Sequence, residues 1–263
     1  IYPFKTKKRS MNFCLQSSDM YQLPLLQPHK ELIQIQGSEA GQECRFVLER
    51  EPEGYLAIRD LERPDLKPLS SFDLIQEWHQ RLKSYRGKQE PLSKALGIHK
   101  RPLTGPVVDT TAGLGRDSCV MAQSGAKVIM LERELPLALV LSDAIEHAQA
   151  LDWFELDLEL IHAEAADYAA SSTLPANTVL YCDPMFNHKS NKSAQNKRLM
   201  QFLQHLCHKP SEEDLPSALL AQLQPGQKLI VKKALPDPPL TQHLNYQLKG
   251  KNFRFDIHYR PMV

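Results

Sequence analysis

The chain changes rhythm near residue 100. Before that point, short alternating stretches recur at Glu31 to Gln36 (ELIQIQ), Cys44 to Arg50 (CRFVLER) and Gly54 to Arg59 (GYLAIR), parted by Gly and Pro. Alternation puts every second side chain on one face of a strand, so this region predicts a small antiparallel sheet. Phe72, Ile75, Trp78, Leu82 and Tyr85 follow at three- and four-residue spacing behind a capping Ser71, which predicts a helix ending before Gly87. A short helix is expected over 91–96, where Pro91 opens it and Gly97 sits just past its end. Lys100 to Pro106, with two Pro and one Gly, reads as a linker. Beyond it, apolar runs predict strands at 107–109, 127–132, 158–163, 179–183, 228–233 and 253–259. Amphipathic stretches predict helices near 117–124, 136–150, 194–207 and 215–223. Such alternation predicts an α/β architecture over 101–263, a parallel sheet with helices on both faces, joined to a small amino-terminal α+β subdomain over 1–100.

Ligands of open parallel sheets bind beyond the carboxyl ends of the strands, so the chemistry is expected at the strand tips. The first strand runs into Asp109-Thr-Thr-Ala-Gly113-Leu-Gly115-Arg116-Asp117-Ser118. Gly113 and Gly115 let backbone approach a ligand closely, and the helix that follows offers unpaired amides. A dinucleotide-binding turn would place Gly or Ala at Ser118, and a pyrophosphate is ill matched to Asp117. A cationic ligand is well matched to Asp109 and Asp117, and S-adenosylmethionine carries both a sulfonium and an amino group. A lone GxG turn is also common in plain strand–helix packing. The second strand, however, ends at Glu132-Arg133, an acid about 20 residues on that can accept hydrogen bonds from both ribose hydroxyls of a nucleoside.

The fourth strand ends in Asp183-Pro184-Met185-Phe186, close to the (Asp/Asn)-Pro-Pro-(Tyr/Phe) pattern of enzymes that methylate amino groups conjugated to a ring or carbonyl. Such an amine is a poor nucleophile. A carboxylate and a proline-fixed carbonyl can hold its N–H groups while an aromatic ring stacks on an extruded base. Asp-Pro is equally a frequent turn, and Met185 departs from the pattern. Beyond it lie Lys189, Lys192, Lys197 and Arg198, with no acid anywhere in 184–211. A run of this kind is most often a solvated face, but beside Asp183 it is also placed to hold RNA phosphates. Lys232-Lys233 extends the same edge.

VVDTTAGLGRDS (107–118), MLER (130–133), LIHA (160–163), YCDPMFNHK (181–189), IVKK (230–233) and FDIHY (255–259), taken in order, resemble the RsmJ (YhiQ) family of bacterial methyltransferases. That family modifies N2 of a guanine near the 3′ end of 16S ribosomal RNA. The likeness reaches back to RGKQEPLSKALGI (86–98) and covers roughly the last two-thirds of the chain. It implies a class I (Rossmann-like) methyltransferase sheet with a small amino-terminal subdomain, S-adenosyl-L-methionine as cofactor, and 16S rRNA or the small ribosomal subunit as partner. The implied cofactor positions are Arg116, Asp117, Glu132, Arg133 and Asp183. A pair of small hydroxyl residues in the family corresponds here to Glu164 and Ala165, where a carboxylate at Glu164 can accept the adenine amino group. Other readings stay open on the motifs alone: adenine N6 in DNA or a protein glutamine as the amine, a nucleotide-dependent oxidoreductase, or a non-catalytic RNA-binding protein.

Composition changes this picture in three ways. At 42% hydrophobic and 24% charged, the chain is that of an ordinary globular protein. Its longest apolar run, Leu135 to Leu141, is far too short for the roughly 20 residues of a membrane span and contains Pro136. Net charge is only +1, which excludes binding through an overall positive field. Yet residues 184–263 hold 12 Lys and Arg against 5 Asp and Glu, a balance of +7, while residues 1–183 hold 20 against 26, a balance of −6. That asymmetry points the basic part toward nucleic acid. The basic start lacks a signal-peptide apolar region because Gln16, Ser17, Ser18 and Asp19 interrupt it. The five cysteines (14, 44, 119, 182, 207) form no CxxC and read as free thiols of a cytoplasmic protein without a structural metal.

Overall fold

The computed structural model of the chain describes residues 13–35, 44–171, 173–184, 201–207, 214–241 and 244–262. The amino-terminal sheet comprises β1 (Phe13–Leu15), β2 (Gln34–Ile35), β3 (Phe46–Arg50), β4 (Leu56–Asp60) and β5 (Leu69–Ser70), in the order β2-β1-β3-β4-β5. The expected purely antiparallel sheet is in fact mixed: β1 runs parallel to both β2 and β3, while β3, β4 and β5 are antiparallel neighbours. Two 3₁₀ segments, Ser18–Gln22 and Pro24–Leu32, carry the chain back after β1, and such a crossover leaves no mark in residue alternation.

Helix α1 (Ser71–Lys83) buries Leu74, Ile75 and Trp78 and leaves Phe72 exposed. Its cap is Ser70 rather than Ser71: the Ser70 hydroxyl accepts from Phe72 N at 3.2 Å, while Ser71 is buried and donates to Asp143. α2 (Pro91–Leu96) ends as expected at Gly97, whose φ of 89° is the left-handed turn that glycine adopts freely.

The main sheet comprises β6 (Val107–Asp109), β7 (Val128–Glu132), β8 (Leu158–His162), β9 (Val179–Cys182), β10 (Lys228–Ala234), β11 (Tyr246–Lys249) and β12 (Phe253–Tyr259). Between them lie α3 (Arg116–Gln123), α4 (Leu135–Ala148), α5 (Ala165–Ser171), α6 (residues 201–206) and α7 (Leu215–Gln222). Strand order is β11-β12-β10-β9-β6-β7-β8. The sheet is mostly rather than wholly parallel, because β12 runs antiparallel to both β10 and β11. The sequence pattern did not predict β11, a short, half-exposed edge strand, or α5, a two-turn helix.

Alternation splits each central strand between two cores. Val107, Val179, Tyr181 and Ile230 face one core, shared with α1 to α4 and the amino-terminal sheet. Val108, Leu180, Cys182, Leu229 and Val231 face the other, with Tyr168 of α5 and Leu219 of α7. Strands buried on both faces read as continuous apolar runs, which is why the sequence pattern found them. The chain steps outward from β6 to β7 and β8, then returns to the far side of β6 for β9 and β10. The crevice between the β6 and β9 tips is therefore the switch point where such sheets bind ligands.

The cysteine reading needs correction, since Cys14 and Cys44 form a disulfide with their Cα atoms 5.8 Å apart, while Cys119, Cys182 and Cys207 are free. Parallel pairing of β1 with β3 brings together positions 30 residues apart, and sequence spacing does not show that. Cysteine usage therefore no longer argues for a compartment. Among the described residues no helix is long and apolar enough to cross a membrane.

The two sheets are also joined by one buried carboxylate. Asp143 on α4 accepts from Leu56 N of β4 at 2.9 Å and from the Ser71 hydroxyl. Asp143→Ala leaves a buried amide unpaired and should cost about 2 to 3 kcal/mol, read as a lower urea midpoint at unchanged slope. Wild-type stability would show that the two sheets are not coupled there.

Candidate active site

Asp109 closes β6 and is buried, with one oxygen accepting from Thr111 N at 3.1 Å and the other from Ser118 Oγ at 2.5 Å. Burial pushes its carboxyl up to about 7, and the charges of Asp117 and Asp183 add to the shift. Ser118, the departure from a dinucleotide turn, is thus an internal brace of the loop. Thr110 donates twice to Tyr181 O, from N and Oγ1, each at 2.8 Å, and so ties the β6 tip to β9.

Gly113 and Gly115 both adopt left-handed φ, 53° and 73°. A Cβ on Gly115 would lie 3.1 Å from both Met130 Cε and Trp78 Cζ2, so a side chain there would crowd both besides adopting a torsion that glycine takes freely. Trp78 Nε1 donates to Leu114 O at 2.7 Å, and Glu77 accepts from Arg116 Nε at 2.6 Å. Helix α1 thereby holds the glycine loop from behind. The sequence pattern placed Trp78 only on an apolar helix face, and its indole N–H gave no sign of this partner.

Glu132, at the β7 tip, is buried and accepts from Gly113 N at 3.2 Å and Glu134 N at 2.8 Å. Burial, helped by the nearby charge of Glu134, raises its carboxyl to about 7. Each oxygen keeps a lone pair for a further donor. The Arg133 guanidinium lies 3.4 Å from Glu134, and Arg133 O accepts from His162 Nε2 at 3.0 Å. Burial lowers the pKa of His162, whose ring meets His29 edge-on at 5.2 Å. Glu164 precedes α5 and Ala165, buried, opens it beside the tips of β7 and β8.

The centre of the crevice is an ion cluster. Lys232 Nζ donates to Asp117 Oδ2 at 2.8 Å and to Asp183 Oδ2 at 2.7 Å, and the Tyr181 hydroxyl donates to Asp117 at 2.5 Å. Burial works to raise the Asp117 carboxyl, but the charge and hydrogen bond of Lys232, with Tyr181, hold it below the usual carboxylate range. Burial and the Asp117 charge push the Tyr181 phenol well up, so it remains a donor. Asp183 N donates to Thr111 Oγ1 at 2.7 Å, which fixes the start of the Asp183-Pro184 turn. Lys232, which the sequence set beside the basic stretch as an extension of its edge, instead pairs with two carboxylates, two residues after the buried Ile230 of the same strand. Thr111 and Tyr181 were likewise missed, because their contacts exist only once β6 and β9 lie side by side.

Asp109, Gly113, Gly115, Asp117, Glu132 and Asp183 are thus brought to one crevice, with Arg116 and Arg133 at its margins. Phe186, Lys189, Lys192, Lys197 and Arg198 lie outside the described residues. An adenosyl sulfonium fits what is present: Glu132 has acceptor capacity for ribose hydroxyls, the loop has two glycines, and the acids of the cluster suit a cation.

A sheet of this order with an acidic second tip fits a class I SAM-dependent methyltransferase. The SAM-dependent methyltransferase family model (SAM_MT) matches residues 31–260. The crystal structure of a SAM-dependent methyltransferase from Neisseria gonorrhoeae has the same fold, with a TM-score of 0.63 at 22% identity over 95% of each chain. Ribosomal RNA small subunit methyltransferase J of Proteus mirabilis is 34% identical over 213 residues, 78% of this chain and 83% of the relative. The Coxiella burnetii (strain Dugway) protein of the same name is 36% identical over 176 residues, 65% of this chain and 67% of the relative. The chain belongs to the ribosomal RNA small subunit methyltransferase J family.

Glu132→Ala should weaken SAM binding by about 1 to 3 kcal/mol, the cost of a charge-assisted hydrogen bond lost in a site. A second expectation follows from its raised pKa. Near neutral pH the free carboxyl is partly protonated, and ribose hydroxyls favour its ionised form, so SAM binding should release protons and tighten as pH rises through about 7. Calorimetry in buffers of different ionisation heat measures the release. Glu132→Gln should reduce it, and an unchanged release would place the titrating group elsewhere, at Asp109, whose carboxyl is raised to the same range.

Proposed function

We propose that this protein transfers the methyl group of S-adenosylmethionine to the exocyclic N2 of a guanine in the 16S ribosomal RNA of the small subunit. The observation that carries this reading is Asp183, on a turn braced by Thr111, with its carboxylate at the switch point beside the SAM-binding loop. Two considerations support the substrate: the names of the relatives and the basic stretch that follows Asp183 in the sequence. Work on ribosomal RNA would put the protein in the cytoplasm.

When bound, SAM supplies a sulfonium-activated methyl whose C–S electron pair stays on sulfur while the amine lone pair forms the C–N bond. What remains for the protein is alignment and desolvation. Glu132 holds the ribose, Asp109 braces the Gly113–Gly115 loop, and Asp117 with Arg116 and Arg133 line the cofactor side. Glu164 and Ala165 flank the adenine. Asp183 accepts an N–H of the guanine amine and concentrates its lone pair toward the methyl. Pro184 fixes the turn and Phe186 stacks on the extruded base. Lys189, Lys192, Lys197 and Arg198 hold RNA phosphates, and residues 1–100 form the subdomain that supports the loop through α1.

At saturating SAM, Asp183→Ala should lower turnover on small-subunit RNA by orders of magnitude. Phe186→Ala should weaken productive RNA binding by about 1 to 3 kcal/mol. Nucleoside mass spectrometry of the product should give N2-methylguanosine. A methylated adenine, or wild-type turnover in Asp183→Ala, would overturn the assignment. Changing the four basic residues to Gln should weaken RNA binding and flatten its salt dependence while leaving SAM affinity intact.

A further inference from the structure

Lys232 stands on β10, in a strand whose preceding residues Leu229, Ile230 and Val231 are wholly buried. A lysine here would ordinarily extend to solvent, yet only 24% of its side chain is exposed and its ammonium bridges two carboxylates. Those carboxylates come from different functional halves of the crevice. Asp117 is in the first turn of α3, directly after the glycine loop, and Asp183 opens the Asp-Pro turn after β9.

We propose that Lys232 is a positioning residue for methyl transfer, holding the Asp183 carboxylate ionised and oriented toward the substrate amine with Asp117 as its second anchor. The inference rests on the reading of Asp183 as the amine acceptor and adds the group that makes it one. Among the described residues, the Lys232 ammonium bridges Asp117 and Asp183 directly. β6 contributes Asp109, β9 the Tyr181 hydroxyl, α3 Asp117, and β12 the Phe253 ring, 5.6 Å from Nζ; Arg81 of α1 acts on Asp117. Without the ammonium, Asp109, Asp117 and Asp183 would share one crevice, and like charges at this range oppose each other's ionisation. Both carboxylates hold the ammonium charged against the opposing effect of burial, so Lys232 is not the base. In this reading Asp183 acts as a hydrogen-bond acceptor, and the surplus proton of the methylated amine departs to water.

The test is the pH dependence of kcat for the full chain on small-subunit RNA, at saturating SAM and RNA, from about pH 3 to about pH 9. In Lys232→Met the acid limb should move up by about one to three pH units, the usual effect of removing a neighbouring opposite charge. In Lys232→Arg the limb should stay at its wild-type position, even if the rate falls. A merely structural lysine would lower the melting temperature and the rate without moving the limb. A wild-type limb in Lys232→Met overturns the inference, as does a shifted limb in Lys232→Arg. Should Lys232→Met fail to fold, Lys232→Gln, which keeps a donor without the charge, carries the same expectation and the same refutation. Asp183→Ala separates the two levels. Wild-type turnover there removes the reading of Asp183 itself, whereas an inactive Asp183→Ala with an unmoved limb in Lys232→Met removes only the role of Lys232.

Discussion

Three aspartates meet where β6 and β9 part, and the crevice depends on how their charge is accommodated. Asp109 lies deepest, spends both oxygens on its own loop, and has its carboxyl raised to about 7. Asp117 and Asp183 lie nearer the opening and share one ammonium, that of Lys232. Repulsion among them is thus relieved in two ways, by the high pKa of the innermost acid and by a cation between the outer two. The result is an acidic site whose geometry is set before any ligand arrives, which suits a reaction that needs alignment more than acid or base.

The amino-terminal region enters this arrangement through contacts rather than through chemistry of its own. Trp78 and Glu77, one turn of α1, support the glycine loop at Leu114 and Arg116, while Asp143 on α4 is bonded to β4 and to the start of α1. Phe202 of α6 meets Phe46 of β3 edge-on at 6.2 Å, and His205 lies 3.4 Å from Asp60 of β4. α6 therefore rests on the amino-terminal sheet, at the far end of the sequence that begins with Asp183-Pro184. The glycine loop is braced by α1, and α6 rests on β3 and β4, so packing of the amino-terminal region bears directly on the crevice.

Much of this architecture was legible along the chain. The central strands are buried on both faces and so appear as unbroken apolar runs, and α2 carries its own start and stop in Pro91 and Gly97. Asp109, the two glycines, Glu132 and Asp183 follow directly on those runs, because the tips of parallel strands point to one edge whatever the side chains between them. Residues that signal through their own backbone requirement or their place at a strand end were therefore within reach of the sequence. The crossover that makes β1 parallel to β3, and with it the Cys14–Cys44 bridge, was not, since pairing partners distant in sequence leave no periodic trace. The same limit hid Trp78 against Leu114, Thr111 against Asp183, and Lys232 between two carboxylates. Each of these contacts joins elements from different parts of the chain, and strand order alone determines which ones meet.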